Sequence, residues 1–376
     1  MASTHVTTLT LDLGRIRENL GVVRSHLKNN GGVEPGIFAV IKGFGYGTDD
    51  TVLAKVYAEE GVDYLAVAYV EEGIQLREAG VKGKILVLNP DPATFDKLKE
   101  YKLEPSMISL GHLEAFLDWI HRNAHSGDDL EPIHLNVNTG MNRLGVCREE
   151  LPKLSVLLNS VGGLKLDTVY THLASTENPD NDTQTEAQFS AFKEFCGELR
   201  KELRSELTGF KTHSLNSSGV VRFPQHGMDY VRVGLILLGS ELSRAGLALK
   251  PAVFFHTVVT QVQTVPAGQG VGYGCADPSD QERQIAWLPM GYADGYPRSL
   301  SDGRGNVYVN GHKAPVVGRV CMDLTAVDVT GLNVKVGDPV ELFGDNIPIE
   351  SVSDAADTIP YELIARVHQR VIRRIV

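Results

Sequence analysis

Apolar residues in the first two thirds of the chain recur with two alternating periods. Residues 6–13 alternate between apolar and polar as in a strand, and Ile16, Leu20 and Val23 then recur at helical spacing. Residues 37–41 form a continuous apolar run, which is typical of a strand buried on both faces. About eight or nine such strand-then-helix units follow one another over roughly 240 residues, the size of a (β/α)₈ barrel.

The alternation therefore predicts an α/β protein whose N-terminal part is a (β/α)₈ TIM barrel. A doubly wound sheet is the second possibility, and it usually carries a glycine-rich turn after its first strand. The first predicted strand instead ends in Asp12-Leu13-Gly14-Arg15, which is not such a turn.

The pattern changes near residue 247. Short alternating segments separated by Gly, Asp, Asn and Pro turns then predict a mostly-β domain that ends in one helix over residues 361–375. We accordingly predict a barrel over residues 1–246 and a β-domain over residues 247–376.

Composition narrows the class of protein. The chain of 376 residues has a net charge of −11, which argues against nucleic-acid binding. It contains no apolar run near the ~20 residues that span a membrane and no secretion signal at its start. Its four cysteines are far apart, which disfavours a metal site or a disulfide framework and favours a reducing, cytoplasmic setting.

Chemically unusual residues follow several predicted strands, where a barrel enzyme places its catalytic groups. Lys42 comes directly after the run 37–41. Burial there would lower its pKa and make it a nucleophile, although a surface lysine in a flexible loop fits its position equally well. Polar residues follow or lie in other predicted strands: Asn136 to Arg143, His172, Asn216 to Gly219 and Arg232. Taken one at a time, most of them are explained equally well by a helix N-cap, a turn or a histidine in the core.

Taken together, these strand ends put a lysine, arginines, a histidine and a Ser/Gly anion site on one rim of the barrel. That combination suits a phosphate-bearing cofactor linked to a lysine, namely pyridoxal 5′-phosphate. The paired carboxylates of a glycosidase and the His-x-His pair of a metal hydrolase are not seen in the sequence.

At this level of detail the chain resembles the alanine racemases, pyridoxal-phosphate enzymes of fold type III. The resemblance extends from Leu11 to about Arg370 and rests on six motifs in the same order. They are Ala39-Val40-Ile41-Lys42 with Tyr46-Gly47, Thr139 to Gly145, Thr171-His172-Leu173-Ala174, Val271-Gly272-Tyr273-Gly274, Gly291 to Arg298, and Gly318 to Asp323.

The resemblance implies that Lys42 binds the cofactor covalently and acts as one of two bases. Tyr273 would be the second base, on the opposite face of the substrate, since racemisation needs one group to remove a proton and another to return it. Arg232 would face the pyridine nitrogen and leave it unprotonated, which would suppress transamination. The family pattern assigns the remaining cofactor contacts to Tyr46, His172, Asn216, Ser217, Gly234 and Tyr361.

The same resemblance implies that Arg143, Met322 and Tyr273 contact the amino acid substrate. Tyr292, Arg319 and Asp323, with Tyr361, would line the narrow corridor through which it enters. In this family the tyrosine reaches the active site of the neighbouring subunit, so a head-to-tail homodimer with shared sites is implied. The implied reaction interconverts L-alanine and D-alanine and supplies D-alanine for peptidoglycan.

Two departures from the family pattern qualify these expectations. Many relatives carry a lysine, often carbamylated, where this chain has Asn136, so we predict a small anion such as chloride, or water, near Asn136 and Arg143. An Asp is also common in place of Asn138. Gly43-Phe44-Gly45 stands where the family usually has alanine-type residues around a polar one. The missing methyl groups would widen the pocket, so a broad-specificity or serine racemase stays as an alternative. A decarboxylase of the same fold type and a cofactor carrier without catalysis also remain open.

Overall fold

The computed structural model describes residues 6–32, 34–123 and 125–376. Residues 1–5, which belong to the predicted range of the barrel, lie outside this range. The described residues contain seventeen strands: β1 Thr8–Leu11, β2 Gly36–Val40, β3 Tyr64–Val67, β4 Lys84–Val87, β5 Glu104–Met107, β6 Ile133–Val137, β7 Leu166–Thr171, β8 Lys211–His213, β9 Tyr230–Val233, β10 Val253–Val258, β11 Gln261–Val265, β12 Arg283–Leu288, β13 Asn306–Val309, β14 His312–Val317, β15 Thr325–Asp328, β16 Pro339–Phe343 and β17 Ile372–Ile375.

Strands β2 to β9 form a closed parallel barrel, which confirms the predicted fold. Residues of β9 pair with residues of β2 and close the ring, with Gly36 opposite Tyr230. A side chain at Gly36 would collide with the Tyr230 ring, so the closure needs glycine there. The carboxyl ends of all eight strands therefore lie on one face.

Helices alternate with the barrel strands and cover them from outside. They are Asp50–Glu59, Val70–Glu78, Phe95–Glu100, Leu110–Arg122, Leu151–Ser160, Asp182–Glu202 and Ser217–Arg222. The strand β9 is followed only by a 3₁₀ turn, Leu235–Leu238, against which the helix Leu13–His26 packs. The buried Asn19 side chain of that helix donates to the carbonyls of Leu237 and Lys250. None of the helices in the described residues combines the length and the apolar content that crossing a membrane requires.

The remaining strands form a nine-stranded mostly antiparallel sheet, in the order β11-β12-β15-β14-β13-β16-β10-β1-β17. The strand Thr8–Leu11 belongs to this sheet, although it lies within residues 1–246, the range predicted for the barrel. It pairs antiparallel with β10 and parallel with β17. The first strand therefore ties the beginning of the chain to its end.

The helix predicted over residues 361–375 is wrong in its extent. Two short helices, Ile349–Ala356 and Pro360–Ala365, are followed by the strand β17. The free edge of β1 explains the difference, because an exposed strand edge offers backbone hydrogen bonds to the last residues of the chain.

Candidate active site

The carboxyl ends of the barrel strands surround one cavity of about 940 Å³. Every barrel residue that the sequence singled out for the site contributes to its wall, as does one residue from the C-terminal helix region. These residues are Lys42, Tyr46, Asn136, Arg143, His172, Asn216, Ser217, Arg232, Gly234 and Tyr361. Residues separated by more than 300 positions in the chain thus meet around a single space.

Lys42 lies two residues after the end of β2, and its side chain is open to the cavity. Surrounding protein atoms lower the pKa of Lys42, and the positive charge of Arg143 lowers it further, whereas Glu72 partly opposes this shift. The neutral amine is therefore populated at lower pH than in free lysine. A neutral amine is the form that attacks a carbonyl group or accepts a proton.

The residues after Lys42 form one turn of left-handed helix. Gly43, Phe44, Gly45 and Tyr46 have φ between 55° and 64°. Such a conformation costs non-glycine residues about 1–2 kcal/mol each, which explains the two glycines. Gly43 and Gly45 adopt this conformation without the cost that a side chain brings, and Gly43, Phe44 and Gly45 do not line the cavity.

Glu72 holds this turn against the end of β3. Its Oε1 accepts a hydrogen bond of 2.6 Å from the amide of Gly43, and its Oε2 accepts one of 2.6 Å from Ala68 and one of 3.2 Å from Tyr69. This role was not predicted from the sequence. The available signal was a glutamate at the third position of a helix, where a capping side chain reaches back to the preceding backbone.

Replacement of Glu72 by glutamine should lower the free energy of unfolding by about 1–3 kcal/mol, because one of the two accepting oxygens is replaced by an NH₂ group that cannot accept and the other loses its charge. The measurement is urea denaturation of the cofactor-free protein at one protein concentration. The exposed neighbour Glu71 provides the matched control, since Glu71→Gln leaves the turn intact. Equal stability of the two variants would show that Glu72 does not stabilise the turn.

Arg232 lies in β9, is 5% exposed and is held from several sides. Its Nη1 donates to Nδ1 of His213 at 2.7 Å, and its Nη2 donates to the carbonyls of Thr171 (2.7 Å) and Ser214 (3.0 Å). Burial lowers the pKa of Arg232 to about 10, so the group stays charged near neutral pH. These three hydrogen bonds hold the guanidinium in one position. No role for His213 was predicted from the sequence.

His172 is neutral near physiological pH. Burial, assisted by the charges of Arg232, Arg143 and Lys42, lowers its pKa to about 3. Its Nδ1 lies 3.3 Å from Nη2 of Arg232, and a guanidinium can only donate. The hydrogen-bond network thus assigns the single ring proton of His172 to Nε2.

Hydroxyl and amide groups converge at one end of the cavity. The Ser217 hydroxyl accepts from the Gly234 amide at 3.3 Å and is hydrogen bonded to Tyr361. A Cβ atom on Gly234 would collide with the Tyr46 hydroxyl, so only glycine permits this approach. Burial raises the pKa of Tyr46 and of Tyr361, which keeps both phenols protonated as donors. These donors form a cradle for an anion.

Asn216 acts through the backbone beside this cradle. Its Oδ1 accepts from the Gly219 amide at 2.9 Å and from the Thr176 hydroxyl at 2.7 Å. The side chain therefore caps the short helix Ser217–Arg222 and orients its first turn toward the cavity.

Asn136 and Arg143 both contribute to the wall of the cavity. Asn136 is 8% exposed, whereas Arg143 is exposed to the cavity. The positive charge of Arg143 acts on Lys42 and His172, whose pKa values it lowers. The two side chains therefore supply an amide and a positive charge to the same cavity.

Apart from Tyr361, the site residues predicted in the β-domain lie outside this cavity. Tyr273 is 70% exposed and sits in a 3₁₀ turn, Tyr273–Cys275, beside the Arg319 guanidinium. Tyr292, Met322 and Asp323 are exposed as well. A single chain therefore brings together the barrel half of the predicted site and leaves the β-domain half on its surface.

Two unpredicted residues organise the β-domain group. Arg370 donates to the carboxylate of the buried Asp294 at 2.6 and 2.9 Å and to that of Asp323 at 2.7 Å. Asp294 also accepts from the Gly291 amide at 2.9 Å. The turn that carries Tyr292 is thereby anchored to the C-terminal segment.

Comparison with known proteins decides the family. Residues 11–241 match the model of the alanine racemase N-terminal domain, and residues 252–375 match that of the C-terminal domain. This chain belongs to the alanine racemase family. The alanine racemase of Halothermothrix orenii is 37% identical over 379 residues, covering 98% of this chain and 97% of that protein. The alanine racemase of Methanococcus maripaludis is 34% identical over 382 residues, and the match covers 98% of this chain and 98% of that protein.

Solved alanine racemases share the complete fold. The crystal structure of the enzyme from a D-cycloserine-producing Streptomyces lavendulae superposes with a TM-score of 0.90 at 28% identity, covering 100% of this chain and 98% of that one. The enzyme from Bartonella henselae, solved with covalently bound pyridoxal phosphate, gives 0.87 at 28% identity and 99% coverage of both chains. The predicted family, fold and isomerase class are confirmed.

Proposed function

We propose that this chain interconverts L-alanine and D-alanine with pyridoxal 5′-phosphate and two bases, Lys42 and Tyr273. The observation that carries the proposal is the cavity in which a lysine with a lowered pKa, a buried arginine and an anion cradle face one another. Membership of the alanine racemase family supports the reaction. We further propose that the protein works in the cytoplasm and supplies D-alanine for peptidoglycan.

The residues present fit the cofactor. Lys42 would hold it covalently, and the donors of Tyr46, Ser217, Gly234 and Tyr361 would bind its phosphate. Arg232 would donate to its pyridine nitrogen through Nε–H, because its five hydrogen bonds to the described residues use only Nη1 and Nη2. Neutral His172 would pack against the ring, and Asn216 would orient the cradle. When bound, the cofactor supplies an electron sink for the charge left on the α-carbon.

The two bases act on opposite faces of the substrate. Lys42 would remove or return the α-proton on the face toward the barrel, and its lowered pKa favours the neutral amine that this needs. The phenol of Tyr273 would do the same on the opposite face. Arg143 and Met322 would orient the substrate carboxylate, and Tyr292, Arg319 and Asp323 would line the corridor through which it enters.

The position of Tyr273 supports a homodimer with shared sites. It lies outside the cavity of its own chain and is 70% exposed. A base must lie within hydrogen-bond reach of the proton that it moves. We therefore propose that each chain supplies Tyr273 to the cavity of its partner.

We also propose that a small anion, such as chloride, binds near Asn136 and Arg143. A buried amide and an exposed guanidinium that line the same cavity suit such an ion. Removing chloride should raise the KM for alanine, and Asn136→Leu should abolish this dependence. A KM that stays constant across chloride concentrations in both proteins would argue that water fills the place.

The proposed function is tested by adding pyridoxal phosphate to the purified protein and recording its visible absorbance, followed by a chiral assay of alanine, serine and lysine. Covalent attachment and inversion of alanine support the proposal. Faster inversion of serine or lysine would identify a broad-specificity or serine racemase. A coloured protein that inverts none of them would be a cofactor-binding protein without this activity.

A further inference from the structure

A line of buried polar side chains runs through the interior of the barrel, where most barrels pack branched apolar residues. Arg232, His213, Thr168, His134 and Glu104 contribute one side chain each, from strands β9, β8, β7, β6 and β5. His213, Thr168 and His134 are completely buried, and Arg232 and Glu104 are 5% and 3% exposed. Buried polar groups are costly unless they are all paired, so this line needs an explanation.

Hydrogen bonds connect these side chains without a break. Nη1 of Arg232 lies 2.7 Å from Nδ1 of His213, and Nε2 of His213 lies 3.0 Å from Oγ1 of Thr168. The same Oγ1 lies 2.7 Å from Nδ1 of His134. Nε2 of His134 then lies 2.8 Å from Oε2 of Glu104.

With both histidine rings neutral, the guanidinium at one end and the carboxylate at the other set the direction of every bond in the line. A guanidinium can only donate, so Nδ1 of His213 accepts and its proton sits on Nε2, which donates to Thr168. The single hydroxyl hydrogen of Thr168 is then left for Nδ1 of His134, whose Nε2–H donates to the carboxylate of Glu104. In this assignment each proton has one acceptor, and all four bonds point from Arg232 to Glu104.

The line joins the two ends of the barrel. Arg232 contributes to the cavity of the proposed active site, and Glu104 contributes to a second cavity of about 450 Å³ together with Lys84. At that end the Tyr64 hydroxyl accepts from Lys84 at 2.7 Å and donates to the nearer carboxylate of Asp167 at 2.5 Å, while Oε2 of Glu104 lies 3.1 Å away. The direct hydrogen bond of the Glu104 carboxylate within the line is the one of 2.8 Å to Nε2 of His134.

We propose that Thr168, His134 and Glu104 are positioning residues that hold His213 in the tautomer that accepts from Arg232, and thereby hold Arg232 against the cofactor ring. The expected effect on racemisation rests on the proposed function, whereas the expected tautomer of His213 rests on the hydrogen-bond geometry. Burial and the neighbouring charge of Arg232 also keep the pKa of His213 well below its ordinary value, which favours a neutral ring with one proton. Arg232 requires Nδ1 of His213 to accept, and Thr168 supplies the acceptor that the Nε2–H of that tautomer needs in the buried interior.

The decisive variant is Thr168→Val, which keeps the shape of the side chain and removes the hydroxyl that both histidines contact. We expect kcat for alanine to fall about tenfold, as for the loss of a residue that orients an active-site ligand, while KM stays within twofold. Thr168→Ser should restore kcat, because it returns the hydroxyl. Thr257→Val is the matched control, since Thr257 lies in β10 of the other sheet, is similarly buried and has a hydroxyl that contacts Thr7.

A second measurement does not depend on turnover. The ¹⁵N resonances of histidine-labelled protein without cofactor report the tautomer of His213, which is assigned from the signals lost in His213→Asn. We expect a proton on Nε2 alone in the wild type and in Thr168→Ser, and a mixture of tautomers in Thr168→Val. If Thr168→Val does not fold, Glu104→Leu, which removes the acceptor at the other end, provides the same comparison.

Unchanged tautomer and unchanged kcat in a folded variant would overturn the proposal, as would a wild-type His213 protonated on Nδ1. Failure of the proposed function has a different signature, because a wild-type protein that cannot invert alanine would still show the Nε2 tautomer and its loss in Thr168→Val.

Discussion

Replacing Lys42 by alanine should reduce alanine racemisation to below about 10⁻³ of the wild-type rate, because the covalent link and one of the two bases are lost together. The visible absorbance band of the bound cofactor should disappear as well. The lowered pKa of Lys42 and its place at the end of β2 give the physical reason, since both present a neutral amine to the cavity. The measurements are a chiral assay with each enantiomer and an absorbance spectrum.

Lys193→Ala is the matched control, because Lys193 is exposed on the helix Asp182–Glu202, away from the cavity wall. Adding a small primary amine should partly restore turnover in Lys42→Ala and leave the control unaffected. Substantial racemisation by Lys42→Ala without added amine would mean that another group carries the reaction.

The barrel could be predicted because its units are local. Each strand and the helix after it show their periods within about 30 residues, as in the run 37–41 and the helix that begins at Asp50. The edges of the second sheet could not be predicted in this way. The partners of β1 lie about 240 and 360 residues further along the chain, and no local pattern records that pairing.

The barrel half of the site was predictable for the same reason. Lys42, His172 and Arg232 all lie at strand ends, and a parallel barrel brings its strand ends to one face. The residues that hold them were missed because their roles depend on side-chain geometry. Glu72 resembles an ordinary helix-start residue in sequence, and the orientation of His213 depends on a hydroxyl 45 residues away.

The second large effect concerns Tyr273. Tyr273→Phe removes a proton donor and acceptor but keeps the ring, so kcat should fall about 10²–10⁴-fold while the cofactor still binds. Because Lys42 remains, exchange of the α-proton with solvent should persist for one enantiomer and be lost for the other. Exchange of both enantiomers at the wild-type rate would show that Tyr273 is not a base.

The exposure of Tyr273 makes a sharper test possible, because its proposed target is the cavity of the partner chain. Lys42→Ala and Tyr273→Phe homodimers should each be nearly inactive. When they are mixed, dissociated and allowed to reassociate in equal amounts, half of the dimers should contain one intact site, which gives about a quarter of wild-type activity. If Lys42 and Tyr273 instead acted within one chain, every mixed dimer would lack a complete pair and mixing would restore nothing. Recovery of activity on mixing therefore depends on the sharing of sites between chains, and no property of the separate variants can imitate it.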